Sequence, residues 1–388
     1  MRVLCTTQPA YGHFRPLLPI IRALVDRGHE IRVGTSARFG DVVEAEGYRA
    51  VAMGLDWLEA DKSTIPADRR AGPDVTTLAA FFAHQFVRMT AADLAAGAIA
   101  SASHWRPDLI VRETTEFGGM LAGEALGIPI AAVQVGSPSL IDEAVRAATD
   151  DALDAARARL DLSTAPAARG HGALTMCFAP PALHDPSVPL PEGLRTFRPE
   201  RFADVLAPEL RGFGEDRPLV YATLGTVFHT AHYDLPFFPA VVEASEDLPV
   251  DVLLALGPDT DPASLGPVPA NVRVATYVPQ RAVLDRCSAA ICHGGYGTLL
   301  DAIDAAVPLV VVPFGADQFV NADSVVRLGI GSMIDEDALT ADAVRRAVLD
   351  LLADRGPRDR IEAIRDEWHR APDPSAAADA LERVATAG

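Results

Sequence analysis

The order of hydrophobic and polar positions along the chain predicts alternating strands and helices. The opening residues show this most clearly, with a short apolar run at 2–6, a helical repeat at 16–27 and a second apolar run at 30–35. In the middle segment the apolar residues recur at the 3.6-residue spacing that places them on one helical face. Strand, helix and strand in so short a stretch predict a βαβ unit and therefore a parallel sheet.

The same alternation continues along most of the chain, and it predicts two doubly wound α/β domains in tandem. In such folds ligands bind at the carboxyl ends of the strands, so we expect those ends to face each other across a cleft. Further strands are predicted at 50–53, 108–112, 129–135, 219–224, 250–256, 272–275, 289–292 and 309–313. Further helices are predicted at 75–103, 117–126, 142–160, 238–245, 281–286, 298–306, 340–353, 360–370 and 375–386.

Two irregular stretches interrupt the alternation. Residues 54–72 show no clear period, and residues 180–208 contain seven prolines. A proline-rich stretch of this kind is typical of a linker between domains. We therefore predict an N-terminal domain of residues 1–205 and a C-terminal domain of residues 206–370. A final helix within 371–388 is expected to pack back on the N-terminal domain.

Composition and charge argue against several classes of protein. The 388 residues carry a formal net charge of −19 without any basic cluster, which argues against a nucleic-acid partner. The four cysteines show no paired spacing and are expected to be reduced thiols. No apolar run is long enough to predict insertion into a membrane. We expect a cytoplasmic protein that is a monomer or a homodimer.

A glycine-rich segment between a predicted strand and a predicted helix is the strongest candidate for chemistry. Residues 293–298 read His-Gly-Gly-Tyr-Gly-Thr. Small residues let the backbone approach a ligand closely, and the start of a helix offers N–H groups and a positive dipole end. His293 and Thr298 add side-chain donors, so the segment is a candidate phosphate site; a glycine-rich turn around a packed histidine is the alternative. The P-loop motif and the first-turn Rossmann fingerprint are both absent, which disfavours a dehydrogenase.

Together with motifs elsewhere in the chain, this segment resembles the donor-binding signature of the GT-B nucleotide-sugar glycosyltransferases. The resemblance is greatest to bacterial enzymes that attach sugars to macrolides, enediynes and aromatic polyketides, and it extends over nearly the whole chain. The matching motifs are Gly12-His13 with Pro16, Thr223-Leu224-Gly225-Thr226, Tyr277-Val278-Pro279-Gln280, His293 to Thr298, Val307-Pro308, Pro313, Asp317-Gln318 and Asn321-Ala322.

This resemblance implies that the N-terminal domain, residues 1–205, binds the acceptor and that the C-terminal domain, residues 206–370, binds the nucleotide-sugar donor. It also implies a role for each residue of the donor signature. The positions of His293 and Thr298 hold the pyrophosphate in the family, the position of Asp301 binds the nucleoside sugar, and the aromatic at Tyr277 stacks on the base. Asp317 and Gln318 are expected to face the hydroxyls of the donor sugar, although an ordinary polar loop is the alternative there. The implied donor-binding residues are Thr226, Tyr277, Val278, Gln280, His293, Gly294, Gly295, Gly297, Thr298, Asp301, Asp317 and Gln318.

The resemblance also implies a general base at His13. An imidazole suits this task because its unperturbed pKa of about 6.5 lies near the operating pH. Such a base works better with a carboxylate that fixes its tautomer. Glu113 is the first candidate for this carboxylate, where relatives often have Asp, and Glu116 is the second. A surface ion pair between Arg112 and Glu113 is the alternative.

The activity that the resemblance implies is an inverting transfer of a sugar from a nucleotide to a hydroxyl, without a cofactor or a metal. The expected donor is a TDP-deoxysugar, with a UDP-hexose as the alternative, and the expected acceptor is a hydrophobic natural-product aglycone. A non-catalytic nucleotide-sugar-binding partner protein and a nucleotide-sugar epimerase are further alternatives. Candidate acceptor-binding residues, for which core packing is the other explanation, are Trp57, Phe82, Phe86 and Leu140.

Overall fold

The chain forms two compact α/β units in a computed structural model. The first unit is assembled from three segments of sequence, and the second from two. Pro180–Asp185 belongs to the second unit and Pro186–Glu200 to the first, so the proline-rich stretch contributes to both. The structure describes residues 1–73, 75–163, 173–200, 210–225, 235–257 and 260–387. The other segments are Met1–Ala179 and Ala371–Gly388 in the first unit and Arg201–Arg370 in the second.

The first unit is built on a parallel sheet of seven strands in the described residues. Val3 pairs with Ile31 on one side and with Leu109 on the other, and all three side chains are buried. The strands are β1 (Arg2–Thr6), β2 (Glu30–Thr35), β3 (Arg49–Ala52), β4 (Leu109–Glu113), β5 (Ile130–Val133), β6 (Thr175–Cys177) and β7 (Leu194–Thr196). Their order across the sheet is β3-β2-β1-β4-β5-β6-β7.

The second unit repeats this winding with a parallel sheet of six strands among the residues described. The strands are β8 (Leu219–Thr223), β9 (Asp251–Ala255), β10 (Val272–Ala275), β11 (Cys287–Cys292), β12 (Leu309–Val311) and β13 (Gly331–Met333). Their order is β10-β9-β8-β11-β12-β13. Each sheet therefore reverses its direction of winding beside its first strand, between β1 and β4 and between β8 and β11. Ligands of doubly wound sheets bind at such reversal points.

The helices that connect the strands begin and end where the sequence supplies caps. Gly127 follows the helix Gly118–Leu126 in the left-handed conformation (φ 62°), which glycine adopts without strain. The Asp142 and Thr340 side chains accept hydrogen bonds from backbone N–H groups at the starts of the helices Glu143–Arg159 and Ala341–Ala353. The helices are α1 (Tyr11–Phe14), α2 (Leu18–Asp26), α3 (Gly40–Ala45), α4 (Leu78–Phe82), α5 (Ala91–Ala102), α6 (Gly118–Leu126), α7 (Glu143–Arg159), α8 (Phe237–Ser245), α9 (Gln280–Leu284), α10 (Tyr296–Asp304), α11 (Gln318–Arg327), α12 (Ala341–Ala353), α13 (Gly356–Trp368) and α14 (Pro374–Ala387).

The helix predicted at 75–103 is not continuous. A π-helical segment at Ala83–Arg88 follows α4, and the helix breaks before α5. The Thr90 hydroxyl donates to the Phe86 carbonyl oxygen at 3.1 Å, so a side chain satisfies the backbone at the break. The prediction of one long helix was therefore wrong.

Helix α14 belongs to the first unit, where it packs against α2. Its buried residues Ala377 and Leu381 join the apolar core that contains Leu17. The Arg27 guanidinium lies 2.6 Å from the Asp379 carboxylate and 3.1 Å from that of Glu382. Across the described ranges, the helices fall short of the length and apolar content that a membrane span needs.

Candidate active site

His13 and Glu113 come together because they follow neighbouring strands of the first sheet. His13 lies in α1, directly after β1, and Glu113 is the last residue of β4. Parallel neighbours end at the same edge of a sheet, so both side chains reach the reversal point between β1 and β4. His13 Nδ1 lies 3.2 Å from Glu113 Oε1. The pairing of these two residues, predicted from the sequence, is present in the structure.

The backbone and hydroxyl of Thr115 hold the Glu113 carboxylate in place. The Thr115 N–H donates to Glu113 Oε2 at 2.6 Å, and the Thr115 hydroxyl lies 2.8 Å from each carboxylate oxygen. The same hydroxyl is 3.0 Å from His13 Nδ1. Thr115 is therefore a second neighbour of the imidazole that sequence reasoning missed.

The neighbouring charged residues have structural tasks. Arg112 donates from Nη1 to the carbonyl oxygens of Glu113, Thr114 and Glu116 at 2.8 to 3.0 Å. Arg112 and Glu113 are both fully buried, which excludes a surface ion pair. The Glu116 carboxylate accepts hydrogen bonds from the Thr6 hydroxyl and from the first N–H groups of α6. Glu116, the second candidate, thus caps a helix, and Glu113 is the one that contacts His13.

A carboxylate that sequence reasoning missed contacts the other nitrogen of His13. Glu59 Oε2 lies 3.0 Å from His13 Nε2, and both side chains are largely buried. Glu59 comes from the irregular stretch at 54–72, where no period marks any residue. The available signal was topological, because this stretch follows β3 and so begins at the same edge of the sheet.

The two carboxylates determine the charge of His13. Burial alone lowers the pKa of His13, but the charges and hydrogen bonds of Glu59 and Glu113 outweigh it and hold the pKa well above 6.5. Burial raises the pKa of Glu59, and the opposing charge and hydrogen bond of His13 lower it below its usual value. Both carboxylates therefore favour the protonated form of the His13 ring.

The predicted acceptor-binding side chains divide into two groups. Trp57 and Phe82 are each only 2% exposed, and Trp57 packs against Ile65 and Met89, so core packing accounts for both rings. Phe86 lies beside His13, with 5.7 Å between the ring centroids. Leu140 is half-buried and packs at the margin of the core cluster that contains Phe82 and Phe86.

In the second unit, the glycine-rich segment surrounds a buried histidine at the end of β11. A Cβ atom on Gly225 would lie 2.7 Å from the His293 ring, and one on Gly295 would lie 2.4 Å from its Nε2. Only glycine fits at these two positions. Burial lowers the pKa of His293 to about 4, although a hydrogen bond with the Thr223 backbone opposes the change. The imidazole is therefore neutral at pH 7.

Three predicted donor-binding side chains form a chain of hydrogen bonds beside α10. The Thr298 hydroxyl donates to Gln280 Oε1 at 3.2 Å, and Gln280 Nε2 donates to Asp301 Oδ2 at 2.7 Å. Gly295 is the N-cap of α10, and Gly297 lies in its exposed first turn, with open space where a Cβ would be. The start of α10 therefore presents backbone N–H groups between His293 and Thr298.

The remaining predicted donor-binding residues differ in accessibility. Tyr277 is 66% exposed, so it is not a core aromatic, whereas Val278 beside it is buried. Gln318 is 1% exposed, and its Oε1 accepts from the N–H groups of residues 314 and 315. Asp317 Oδ2 accepts from the Asn321 side chain at 2.9 Å. Gly294 has φ +86°, and a Cβ there would lie 2.7 Å from Val311. Thr226 lies outside the described residues.

Similarity to known proteins decides the family. Residues 240–384 match the family model described as Erythromycin biosynthesis protein CIII-like, C-terminal domain. The chain is 31% identical to the L-demethylnoviosyl transferase of Streptomyces niveus, over 98% of this chain and 97% of the relative. This chain belongs to the GT-B natural-product glycosyltransferases.

Solved structures of other glycosyltransferases agree with this assignment. SnogD from Streptomyces nogalater superposes with a TM-score of 0.80 at 31% identity, over 99% of both chains. VinC, solved in complex with DTDP, has a TM-score of 0.82 at 24% identity over 100% of both chains, a likeness of fold. The expected tandem of parallel α/β domains and the expected glycosyltransferase class are both confirmed.

Proposed function

We propose that this glycosyltransferase moves a deoxysugar from a TDP-sugar to a hydroxyl of a hydrophobic natural-product aglycone, with His13 as the general base and inversion at the anomeric carbon. The observation that carries the proposal is the contact between His13 Nδ1 and the fully buried Glu113 carboxylate, 3.2 Å apart. A histidine with one nitrogen held by a carboxylate is the arrangement of the general bases in hydrolase triads.

In the proposed reaction the acceptor oxygen bonds to the anomeric carbon while the bond from that carbon to the diphosphate oxygen breaks. The diphosphate leaves with the bonding electrons, and the acceptor proton passes to Nε2 of neutral His13. Glu113 keeps the other proton on Nδ1 and stabilises the imidazolium that forms. Phe86, beside the imidazole, offers an apolar edge for an aglycone.

The second unit is proposed to bind the nucleotide sugar through the segment around His293. The start of α10 offers backbone N–H groups and a positive dipole end for the diphosphate, and His293 acts there as a neutral donor because of its low pKa. The exposed Tyr277 ring is available to stack on the base, and Asp301 is assigned to the nucleoside sugar. No metal ion takes part in the proposed mechanism.

Buried Gln318 is proposed to act on the donor sugar through the loop that it holds. Its Oε1 accepts hydrogen bonds from Phe314 and Gly315, so it fixes the backbone that precedes α11. Half-buried Asp317 is the member of the pair proposed to contact sugar hydroxyls directly.

Calorimetric titration with TDP and with UDP, in buffer without added metal, tests the donor assignment. We expect both to bind and TDP to bind more tightly, in keeping with the DTDP complex of VinC. Tighter binding of UDP would assign the donor to the UDP-hexoses instead. If neither TDP nor UDP gives a heat of binding, a diphosphate site at α10 is contradicted.

A further inference from the structure

Glu59 occupies the nitrogen of His13 that a general base needs. Its Oε2 is 3.0 Å from His13 Nε2, while Nδ1 is already engaged by Glu113. Both ring nitrogens of the imidazole therefore face carboxylates. An acceptor hydroxyl that is to give its proton to Nε2 has to take the place of the Glu59 carboxylate, because a ring nitrogen has a single lone pair.

The position of Glu59 is fixed by contacts with three other parts of the first unit. The Gln85 side chain donates from Nε2 to Glu59 Oε1 at 3.0 Å. The Glu59 N–H donates to the Pro9 carbonyl oxygen at 3.3 Å. Trp57, two residues earlier, is buried, and its carbonyl oxygen accepts a hydrogen bond from the Ser36 hydroxyl at 2.7 Å. The carboxylate is thus held over His13 by a folded loop.

The same loop is attached to the π-helical segment. Arg69 donates from Nη1 to the Met89 carbonyl oxygen at 3.1 Å, and the His84 ring contacts the Arg69 carbonyl oxygen at 3.1 Å. These bonds join residues 54–72 to the helical segment that carries Gln85. Gln85 therefore meets the Glu59 carboxylate from a segment to which the loop is itself hydrogen-bonded.

We propose that Glu59 is a positioning residue that closes Nε2 of His13 in the absence of an acceptor and releases it to the acceptor hydroxyl. This inference rests on the proposed role of His13 as the base. In the closed state Nε2 carries a proton and donates it to Glu59 as a hydrogen bond. Opening passes that proton to water and leaves Glu59 anionic on Gln85, so that the Nε2 lone pair is free for the proton of the acceptor.

The charges around His13 support this assignment. The groups that face it are the carboxylates of Glu59 and Glu113, the hydroxyl of Thr115 and the ring of Phe86. Lys62 adds a positive charge that acts on Glu59. Removal of the Glu59 charge therefore leaves Glu113 as the only anion in contact with the ring among the described residues.

The first test follows the titration of His13 by NMR of imidazole-labelled protein, without any ligand. We expect Glu59→Gln to move the His13 midpoint to lower pH, since the glutamine keeps an oxygen for Gln85 but loses the charge. Asp68→Asn is the matched control, because it removes a charge from the same loop at a side chain that is 80% exposed. An unchanged midpoint in Glu59→Gln, or an equal change in Asp68→Asn, would overturn the proposal.

The second test measures access to the Nε2 lone pair with diethyl pyrocarbonate, which acylates neutral imidazole. At about pH 7 we expect His13 to react slowly in the parent protein and severalfold faster in Glu59→Gln, with peptide mass mapping as the readout. The exposed His104 in the same digest serves as the internal standard. Equal His13 rates in the two proteins would show that Glu59 does not close this nitrogen.

Failure of the proposed function would look different. If His13 is not the base, His13→Ala retains normal sugar transfer, whatever Glu59→Gln does to titration and acylation. If only the role of Glu59 is wrong, His13→Ala loses sugar transfer. The parent protein and Glu59→Gln then have the same His13 titration midpoint and the same His13 acylation rate. The two proposals can therefore fail separately.

Discussion

His13 and His293 lie at corresponding points of the two sheets, yet their surroundings drive their pKa values in opposite directions. Each lies where the winding of its sheet reverses, His13 between β1 and β4 and His293 between β8 and β11. His13 meets two carboxylates, which hold its pKa well above 6.5. His293 is enclosed by small residues, and burial lowers its pKa to about 4.

The opposite pKa changes of the two histidines match the task that is proposed for each unit. A site that removes a proton needs an imidazole whose charge can change near neutral pH, and carboxylates adjust this pKa. A site that holds a diphosphate needs fixed donors close to the backbone, and glycines permit that approach. Both positions are histidines in the sequence, and the residues around each ring determine its pKa.

The largest expected effect is the loss of the base. We expect His13→Ala to lower the turnover of sugar transfer by about a hundredfold or more, because proton transfer by a positioned group contributes roughly this much. Turnover with a transferable donor and a hydroxyl acceptor is the measurement. The affinity for TDP, measured by calorimetry, should stay unchanged. Normal turnover in this variant would show that His13 is not the base, and the proposed difference in task between His13 and His293 would no longer hold.

A smaller effect is expected from the histidine of the second unit. His293→Ala should weaken TDP binding by about tenfold or more, since it removes a hydrogen-bond donor to a charged group. His13→Ala is the matched control, a histidine removed from the other unit. Because the ring of His293 fills space beside Gly225 and Gly295, thermal unfolding of His293→Gln should be measured in parallel. Equal TDP affinities in His293→Ala and the parent protein would count against the donor site.

The smallest effect is expected at Tyr277. Tyr277→Ala should weaken nucleotide binding by about fivefold, near the lower limit for base stacking, because the ring is 66% exposed. Tyr277→Phe should retain the affinity, since it keeps the aromatic face. A loss as large as that of His293→Ala would mean that stacking on the base contributes as much to binding as the His293 donor.

The sequence predicted those elements of the fold whose signals are local. The strand at Glu30–Thr35 and the end of the helix at Leu126 agree with the structure, because hydrophobic spacing and glycine geometry act over a few residues. Three strands of three residues each were missed, since so short a strand has no measurable period: Thr175–Cys177, Leu194–Thr196 and Gly331–Met333. At the break before Ala91 the Thr90 hydroxyl donates to the Phe86 carbonyl oxygen, a contact that no periodicity reveals.

In the candidate site, motif positions were predictable and contacts between distant loops were not. Glu113 and His13 were paired on the strength of the motif, and the structure brings them together. Glu59 was not predicted as a partner of His13, because the two residues meet only through the folding of an irregular loop. Glu113 and Glu116 lie close together in sequence and are both buried. Only their hydrogen-bond partners distinguish the partner of His13 from the helix cap.

Helix α14 has a consequence for how the protein is made. Its residues complete the core of the first unit, yet the whole of the second unit precedes them in the sequence. As the chain leaves the ribosome, the apolar face of α2 that α14 later covers stays open while the second unit is synthesised and closes its own core. The unit that is translated first is therefore the last to finish folding.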